Sequence, residues 1–432
     1  MSEKTSVIVL PLETGKHDIN RDSKPRALAR TMASLTFVAL CFLSVMKAYS
    51  SGYLCDLTGT QLRPDITPDE PSTLSCDPNW LGLYNVHSDH TAARSLFVMR
   101  TPHISLKASG ISTGEVFFRS SAAVDKVTVD IRLTSPFPDA VSSVKICQTS
   151  GSDTLHQGLI IHTPANYLTA RLNISYMVIV TFPSIANFST SGQPPLRIES
   201  FETHLPSFRH HLANLSHMYF ESFYLSAGGA AIHSEYLSAG IGELHTSGGP
   251  ITGKYRTNRT LTIDTSNTVV DIETLLESNP YPLHTTSVQV KTSNGRVNVV
   301  NNLMASGSSW GGSFEIGART SNFPLSVTVK SSPISAVLGL ETFNANGPSI
   351  VSLHPSYEGS FLSQTSNNHE ANIVQKKGTL DPSGQGRRRD IRYDAREKTR
   401  VAGSVRWVDN KTRPSGWVKM TTINSPSNLN LN

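Results

Sequence analysis

The feature that most constrains this chain is a small polar corner that returns every twenty to thirty residues through its second half. It appears as SAGGAAI from Ser226, TSGGPI from Thr246, TSNTVV from Thr265 and TSNGRV from Thr292. It continues as TSNFPL from Thr320, NANGPSI from Asn344, TSN from Thr365 and TINSPSNL from Thr422. The first seven starts are separated by 20, 19, 27, 28, 24 and 21 residues. Between corners lie short alternating runs such as Ser287-Val-Gln-Val-Lys291 and Arg296-Val-Asn-Val-Val300. The wider gaps coincide with loop-like insertions at Glu277–Pro282 and Ala305–Ser309.

Such a period cannot be a helical repeat, because Gly, Pro and Asn return too often after residue 50 for long helices to survive. It matches the coil of a β-solenoid. Two or three strands of about five residues are joined by corners, where Asn and Gly accept the left-handed backbone that sharp turns demand. Stacking then lets each strand bond to its counterpart in the next coil, and inward side chains form one continuous core. The expected fold class is therefore all-β, a solenoid-like stack of short strands over roughly 220–375. The alternative is a β-sandwich of the immunoglobulin type whose hairpins share Thr-Ser-Asn turns. Upstream, Lys126–Leu133 and Tyr176–Phe182 also alternate and read as strands.

Residues 31–46 read TMASLTFVALCFLSVM, an uncharged run closed by Arg30 and Lys47. Sixteen helical residues span about 24 Å, short of a bilayer core of about 30 Å, but Lys47 can snorkel and Tyr49, Tyr53 and Leu54 can extend the span. Lys24, Arg26 and Arg30 precede the run, whereas between Ala48 and Trp80 the one basic residue, Arg63, stands against Asp56, Asp65, Asp69, Glu70 and Asp77. Positive-inside bias places the N-terminus in the cytosol and the bulk of the chain outside or in the secretory lumen. A cleaved signal peptide ending near Ala48-Tyr49-Ser50 is the competing reading, and it would give a secreted form. The expected organisation is a basic cytosolic tail (1–30), a single-pass anchor (31–54) and a Pro- and Asp-rich linker (55–84). A β-rich ectodomain part (85–220) and the repeat domain (221–432) follow.

Sequons at Asn173, Asn187, Asn214, Asn258 and Asn410 all lie after the apolar segment and are expected glycosylation sites. Of the four cysteines, Cys41 lies in the apolar run. Cys55 and Cys76 flank the linker and are the expected disulfide, which leaves Cys147 as a buried free thiol, with an intermolecular bridge as the alternative. Charged residues are 16% of the chain and the formal charge is +5, with no basic face interleaved with aromatics, so nucleic acid is not expected as a partner.

These segments resemble the fungal putative-adhesin proteins, related to bacterial adhesins of solenoid type. The resemblance is carried by the Thr-Ser-Asn-(Ala/Gly)-Pro-(Ile/Leu) repeat, by Pro194–Leu212, Gly311–Leu325 and Ser352–Phe361, and by the closing stretch from Asp381. It covers roughly 90–431. It implies a membrane-anchored surface protein with a structural or binding role toward wall polysaccharide or surface proteins, and it defines no catalytic residue or cofactor. The first repeat departs from the pattern with Ala-Gly-Gly, and the repeat at Thr265 lacks the Gly or Pro.

Four constellations bear on chemistry. His204, His210, His211 and His217 form the densest histidine group, but neighbours on a strand point to opposite faces, so no metal site is expected. Asp271 and Glu273 would share one strand face, the arrangement a polysaccharide-cleaving pair would need. Arg387–Arg389 could be a processing site or a solvated loop flanked by Gly384 and Gly386. Gly248–Lys254 has phosphate-loop spacing, but Tyr255 stands where a Ser or Thr should meet magnesium and no helix follows. No catalytic residue, cofactor or metal is assigned. Non-catalytic binding is the expected role, with a carbohydrate-active enzyme on a solenoid scaffold as the alternative.

Overall fold

The structure is a computed structural model. It describes residues 73–76, 84–87, 89–99, 103–135, 137, 143–150, 156–163, 174–184, 196–278, 284–306, 311–408 and 416–432. The expected tail and anchor lie outside these residues, as do most of the linker, Cys41, Cys55, Asn173, Asn187 and Asn410. Among the described residues no helix is long and apolar enough to cross a membrane.

The strands follow in chain order. The N-terminal group is β1 (Thr73–Cys76), β2 (Tyr84–His87), β3 (Asp89–Met99), β4 (His103–Gly110), β5 (Thr113–Ser121), β6 (Val127–Ser135), β7 (Lys145–Ser150), β8 (His156–Thr163) and β9 (Ser175–Pro183). Next come β10 (Leu196–His204), β11 (Phe208–Asn214), β12 (Met218–Ser226), β13 (Ile232–Thr246), β14 (Ile251–Thr265), β15 (Val270–Glu277), β16 (Thr286–Lys291), β17 (Val297–Met304) and β18 (Ser313–Thr320). The chain ends with β19 (Leu325–Ser331), β20 (Val337–Asn344), β21 (Ser349–Leu353), β22 (Gly359–Thr365), β23 (Ala371–Gln375), β24 (Arg389–Glu397), β25 (Arg400–Trp407), β26 (Gly416–Thr422) and β27 (Ser427–Leu431).

These strands form two long parallel ladders, and each coil contributes one strand to each. The first ladder runs β8, β4, β10, β12, the second half of β13, the second half of β14, β16, β18, β20, β26 and β22. The second runs β9, β5, β11, the first half of β13, the first half of β14, β15, β17, β19, β21, β27 and β23. The expected solenoid is present, and it also extends upstream of the recognised repeats. The boundary read at 220/221 falls inside β12, and Glu70–Asn432 clusters as one unit.

Inward residues alternate with outward ones because the strand period is two. In β17, Val297 and Val299 are buried while Asn298 and Val300 face outward to an intermediate degree. Each buried Val or Leu contributes roughly 1.5–3 kcal/mol. The two ladders meet in one core. Phe118 and Phe182 of the second ladder pack edge-on against Phe201 of the first, with ring centroids 5.4 and 5.5 Å apart.

The repeat signature is explained by corner hydrogen bonding. Asn267, Asn294, Asn322, Asn346, Asn424 and Asn367 hold the third corner position, and in all but Asn267, which begins the ladder as an acceptor, the side-chain Nδ2 donates to the Oδ1 of the asparagine one coil back. The 294–267, 346–322 and 424–346 bonds are 2.8, 2.6 and 2.7 Å, and Asn322–Asn294 and Asn367–Asn424 complete the ladder. The first corner position points inward. Thr320 Oγ1 donates to Gly295 O at 2.9 Å, and Asn344 Nδ2 donates to Phe323 O at 2.8 Å. Gly295 is required by close approach, since a Cβ there would sit 1.5 Å from the Thr268 carbonyl oxygen.

Space departs from chain order at both ends. The coil of β26 and β27 inserts between that of β20 and β21 and that of β22 and β23. The coil of β4 and β5 likewise sits between that of β8 and β9 and that of β10 and β11. Antiparallel strands then cover three of the four outer edges, which would otherwise template association, while β23 has β27 as its one strand partner among the described residues. β6 covers β9 and β7 covers β8 at one end; β25 covers β22 at the other.

The disulfide expectation is corrected here. Cys76 bonds to Cys147, so Cys147 is not a free thiol and Cys76 is not available to Cys55. The two are direct cross-strand partners on antiparallel β1 and β7, with Cα atoms 4.0 Å apart. Sequence proximity favoured Cys55, but pairing follows tertiary neighbourhood, and β7 lies 71 residues downstream.

Candidate ligand-binding groove

The outer face of the second ladder carries a groove over its first four coils. Register aligns Ile179 of β9, Phe117 of β5, His211 of β11 and His233 of β13 in one outward column. A parallel column holds Met177, Glu115 and Arg209. Two adjoining open cavities, of about 560 and 470 Å³, share Met177. Their volumes fall within the range of roughly 300–1,000 Å³ usual for small-ligand sites.

The local chemistry is mixed. Phe117 and His211 stack with centroids 4.8 Å apart and an interplanar angle of 11°. Met177 is 39% exposed, which adds an unusual outward apolar side chain. Arg209 and His211 lie 3.6 and 3.9 Å from the Glu115 carboxylate. His211 Nε2 is itself shielded from solvent and has no hydrogen-bond partner among the described residues. The groove thus offers an aromatic and aliphatic wall beside an acid–guanidinium pair. That chemistry suits binding of a partly apolar, partly hydroxylated or charged ligand.

The histidines separate as strand geometry requires. His210 points inward and is fully buried; Nδ1 donates to Phe208 O at 2.9 Å and Nε2 accepts from Thr203 Oγ1 at 2.9 Å. Burial pushes its pKa down to about 4, with the Phe208 carbonyl opposing the shift. His211 points outward into the groove, and His204 meets Glu202 on the first ladder. Among the described residues no group of three or more His, Cys, Asp or Glu could hold a metal ion.

Asp271 and Glu273 share one outward face, as read from the sequence, but both are engaged by neighbouring coils. Asp271 accepts from Asn298 Nδ2 at 2.8 Å and lies 3.9 Å from Arg296. Glu273 accepts from Asn302 Nδ2 at 2.9 Å and lies 3.8 and 3.9 Å from Lys254 and Lys330. This is coil-to-coil riveting on an open sheet, and neither residue lines a described cavity.

Arg387 is not a solvated loop residue. Its guanidinium binds Asp381 at 2.9 Å, approaches Glu358 at 3.8 Å and lies 5.8 Å from the ring of buried Trp407. Arg387 bonding holds the Asp381 carboxyl well below the usual range. The Gly248–Lys254 stretch is a repeat corner entering β14, and Lys254 faces Glu273. Asn214 is exposed, with Oδ1 accepting from Ser216 N at 3.0 Å; Asn258 is half-buried and accepts from Tyr219 OH at 2.8 Å.

Sequence reasoning missed Phe117, Met177, Glu115 and Arg209. One signal was available: Phe117-Phe118 on a strand must place one ring outside. The corner before Phe117 and Glu115 reads Gly110-Ile-Ser-Thr113, and the corners that enter and leave β11, which carries Arg209, read Leu205-Pro-Ser-Phe208 and Leu215-Ser-His-Met218, with no Thr-Ser-Asn in any of them. In the last two, a buried Leu carbonyl accepts from the amide three residues on, at 3.1 and 3.0 Å.

No family model matches the chain, and no curated protein is similar to it at a significant level. Solved structures that align with it include a putative cell adhesion protein from Clostridium sporogenes, at 7% identity over 79% of this chain and 99% of the other, TM-score 0.16. A putative adhesin from Bacteroides fragilis aligns at 9% identity over 79% and 96%, TM-score 0.27. A putative lipid binding protein from Parabacteroides distasonis aligns at 10% identity over 80% and 98%, TM-score 0.27. Identities and scores this low say nothing about ligand or activity.

Proposed function

We propose that the chain is a membrane-tethered, glycosylated, non-catalytic binding protein. A cytosolic tail and the 31–54 anchor hold the solenoid on the extracellular or lumenal side, where it contacts wall polysaccharide or other surface molecules. The observation that carries the binding role is the open groove around Phe117, His211, Glu115 and Arg209 on a rigid stack of coils. The acidic pair that could have argued for hydrolysis is tied into inter-coil bonds. The Cys76–Cys147 bridge supports an oxidising compartment, since such bonds persist outside the cytosol.

The test is binding of the purified full chain to wall polysaccharides and to fungal cells, for wild type and for the Phe117→Ala/Arg209→Ala double variant. Binding that weakens in the variant supports the reading; no binding to either target overturns it. Glycosidase shift and protease protection on membranes check the topology. An unshifted chain fully digested from the cytosolic side refutes the tethered, lumenal arrangement.

A further inference from the structure

A second surface feature lies on the other ladder, near the C-terminal end of the stack. Trp417 of β26 faces outward and is 40% exposed, a large apolar ring in a polar field. Its parallel partner in the next coil is Gly339 of β20. A Cβ on Gly339 would meet the indole Cε2, Cζ2 and Nε1 at 3.0, 3.0 and 3.1 Å. The glycine is therefore the seat of the ring: the indole leans over bare backbone toward β18, whose Glu315 is the register partner of Gly339 and is exposed. Alongside, Glu341 accepts from Lys419 Nζ at 2.8 Å and from Arg319 at 3.4 Å, which fixes a balanced charge network next to the ring.

The surroundings discriminate among occupants. A protein partner needs an interface of roughly 800 Å² per side with an apolar centre, and one indole among Glu315, Glu341, Lys419 and Ser360 does not provide it. A nucleic-acid base could stack on the ring, but its phosphates would meet Glu315 and Glu341 without a basic groove to hold them. A pyranose ring has an apolar C–H face and a rim of hydroxyls. The indole can take the face, while carboxylates and the Lys419 ammonium can accept from and donate to the rim.

We infer that Trp417, seated on Gly339 and flanked by Glu315, is a stacking platform for a neutral, β-linked pyranose chain. Equatorial hydroxyls leave such rings flat enough to lie on the indole; axial substituents would lift them off. This deepens the binding role proposed above by naming a ligand class, at a place separate from the groove.

The test uses the purified full chain with soluble linear β-glucan and chito-oligosaccharides, read by tryptophan fluorescence and calorimetry, with α-mannan as comparison. Wild type should bind the β-linked chains with a fluorescence change and prefer them to α-mannan. Trp417→Ala should abolish the fluorescence change and weaken binding about tenfold, as loss of one aromatic stack implies. Trp417→Phe should retain part of the affinity. Gly339→Val, which displaces the ring without removing it, should weaken binding with Trp417 intact. The inference is overturned if wild type binds none of the β-linked chains, or if Trp417→Ala binds them with wild-type affinity. Wild-type affinity there combined with loss in Phe117→Ala assigns the sugar to the groove and leaves the broader binding role standing. Binding to cells without any oligosaccharide binding overturns the platform alone.

Discussion

Lowering the pH from 7 to 4 should destabilise this protein through one buried side chain, His210. Its imidazole is satisfied as the neutral tautomer, with Nδ1–H donating to Phe208 O and Nε2 accepting from Thr203. Full burial depresses its pKa from 6.5 to about 4. The sign follows directly. Between those values the unfolded chain binds a proton that the folded chain refuses, so stability falls as pH falls through this window. Above pH 6.5 both states are neutral and the effect vanishes; below about 4 both are protonated and the loss is complete. A gap of about 2.5 units at 1.36 kcal/mol each gives a loss of about 3 kcal/mol. Because other groups titrate too, the measurement is a difference between proteins. Denaturant midpoints at pH 7, 6, 5 and 4 are compared for wild type and His210→Phe. The variant should start less stable by about 1–3 kcal/mol, from its lost hydrogen bonds, but should lose less on acidification. Parallel pH profiles for the two proteins would refute the reasoning.

Three further outcomes are expected. Cys147→Ser opens a loop closed across 71 residues, and the chain-entropy relation gives a loss of about 4 kcal/mol; reductant should lower the wild-type melting temperature and leave the variant's unchanged. Gly295→Ala places a methyl 1.5 Å from the Thr268 carbonyl oxygen and should cost about 3 kcal/mol in denaturant unfolding, whereas Gly378→Ala, which meets no atom within 4 Å but has φ +73°, should cost about 1 kcal/mol. Asn322→Ala removes the central member of an exposed amide ladder and should cost about 1 kcal/mol, seen as faster amide exchange at the neighbouring corners rather than global unfolding.

What the sequence by itself determined is what each coil can do locally. The Thr-Ser-Asn corner specifies an inward hydroxyl and an outward amide, and strand alternation sorts Val297 and Val299 inward from Asn298. The same alternation placed Asp271 and Glu273 on one face and split His210 from His211. Nothing local says which coil lies against which. Parallel strands from different coils pair through backbone groups that every residue carries, so neither the insertion of the Thr422 repeat between those of Asn344 and Thr365 nor the partner of Cys76 was written in spacing. The groove and the Trp417 seat arise in the same way. Phe117 meets His211 across 94 residues, and Gly339 receives Trp417 across 78, only because stacking sets their strands one rung apart.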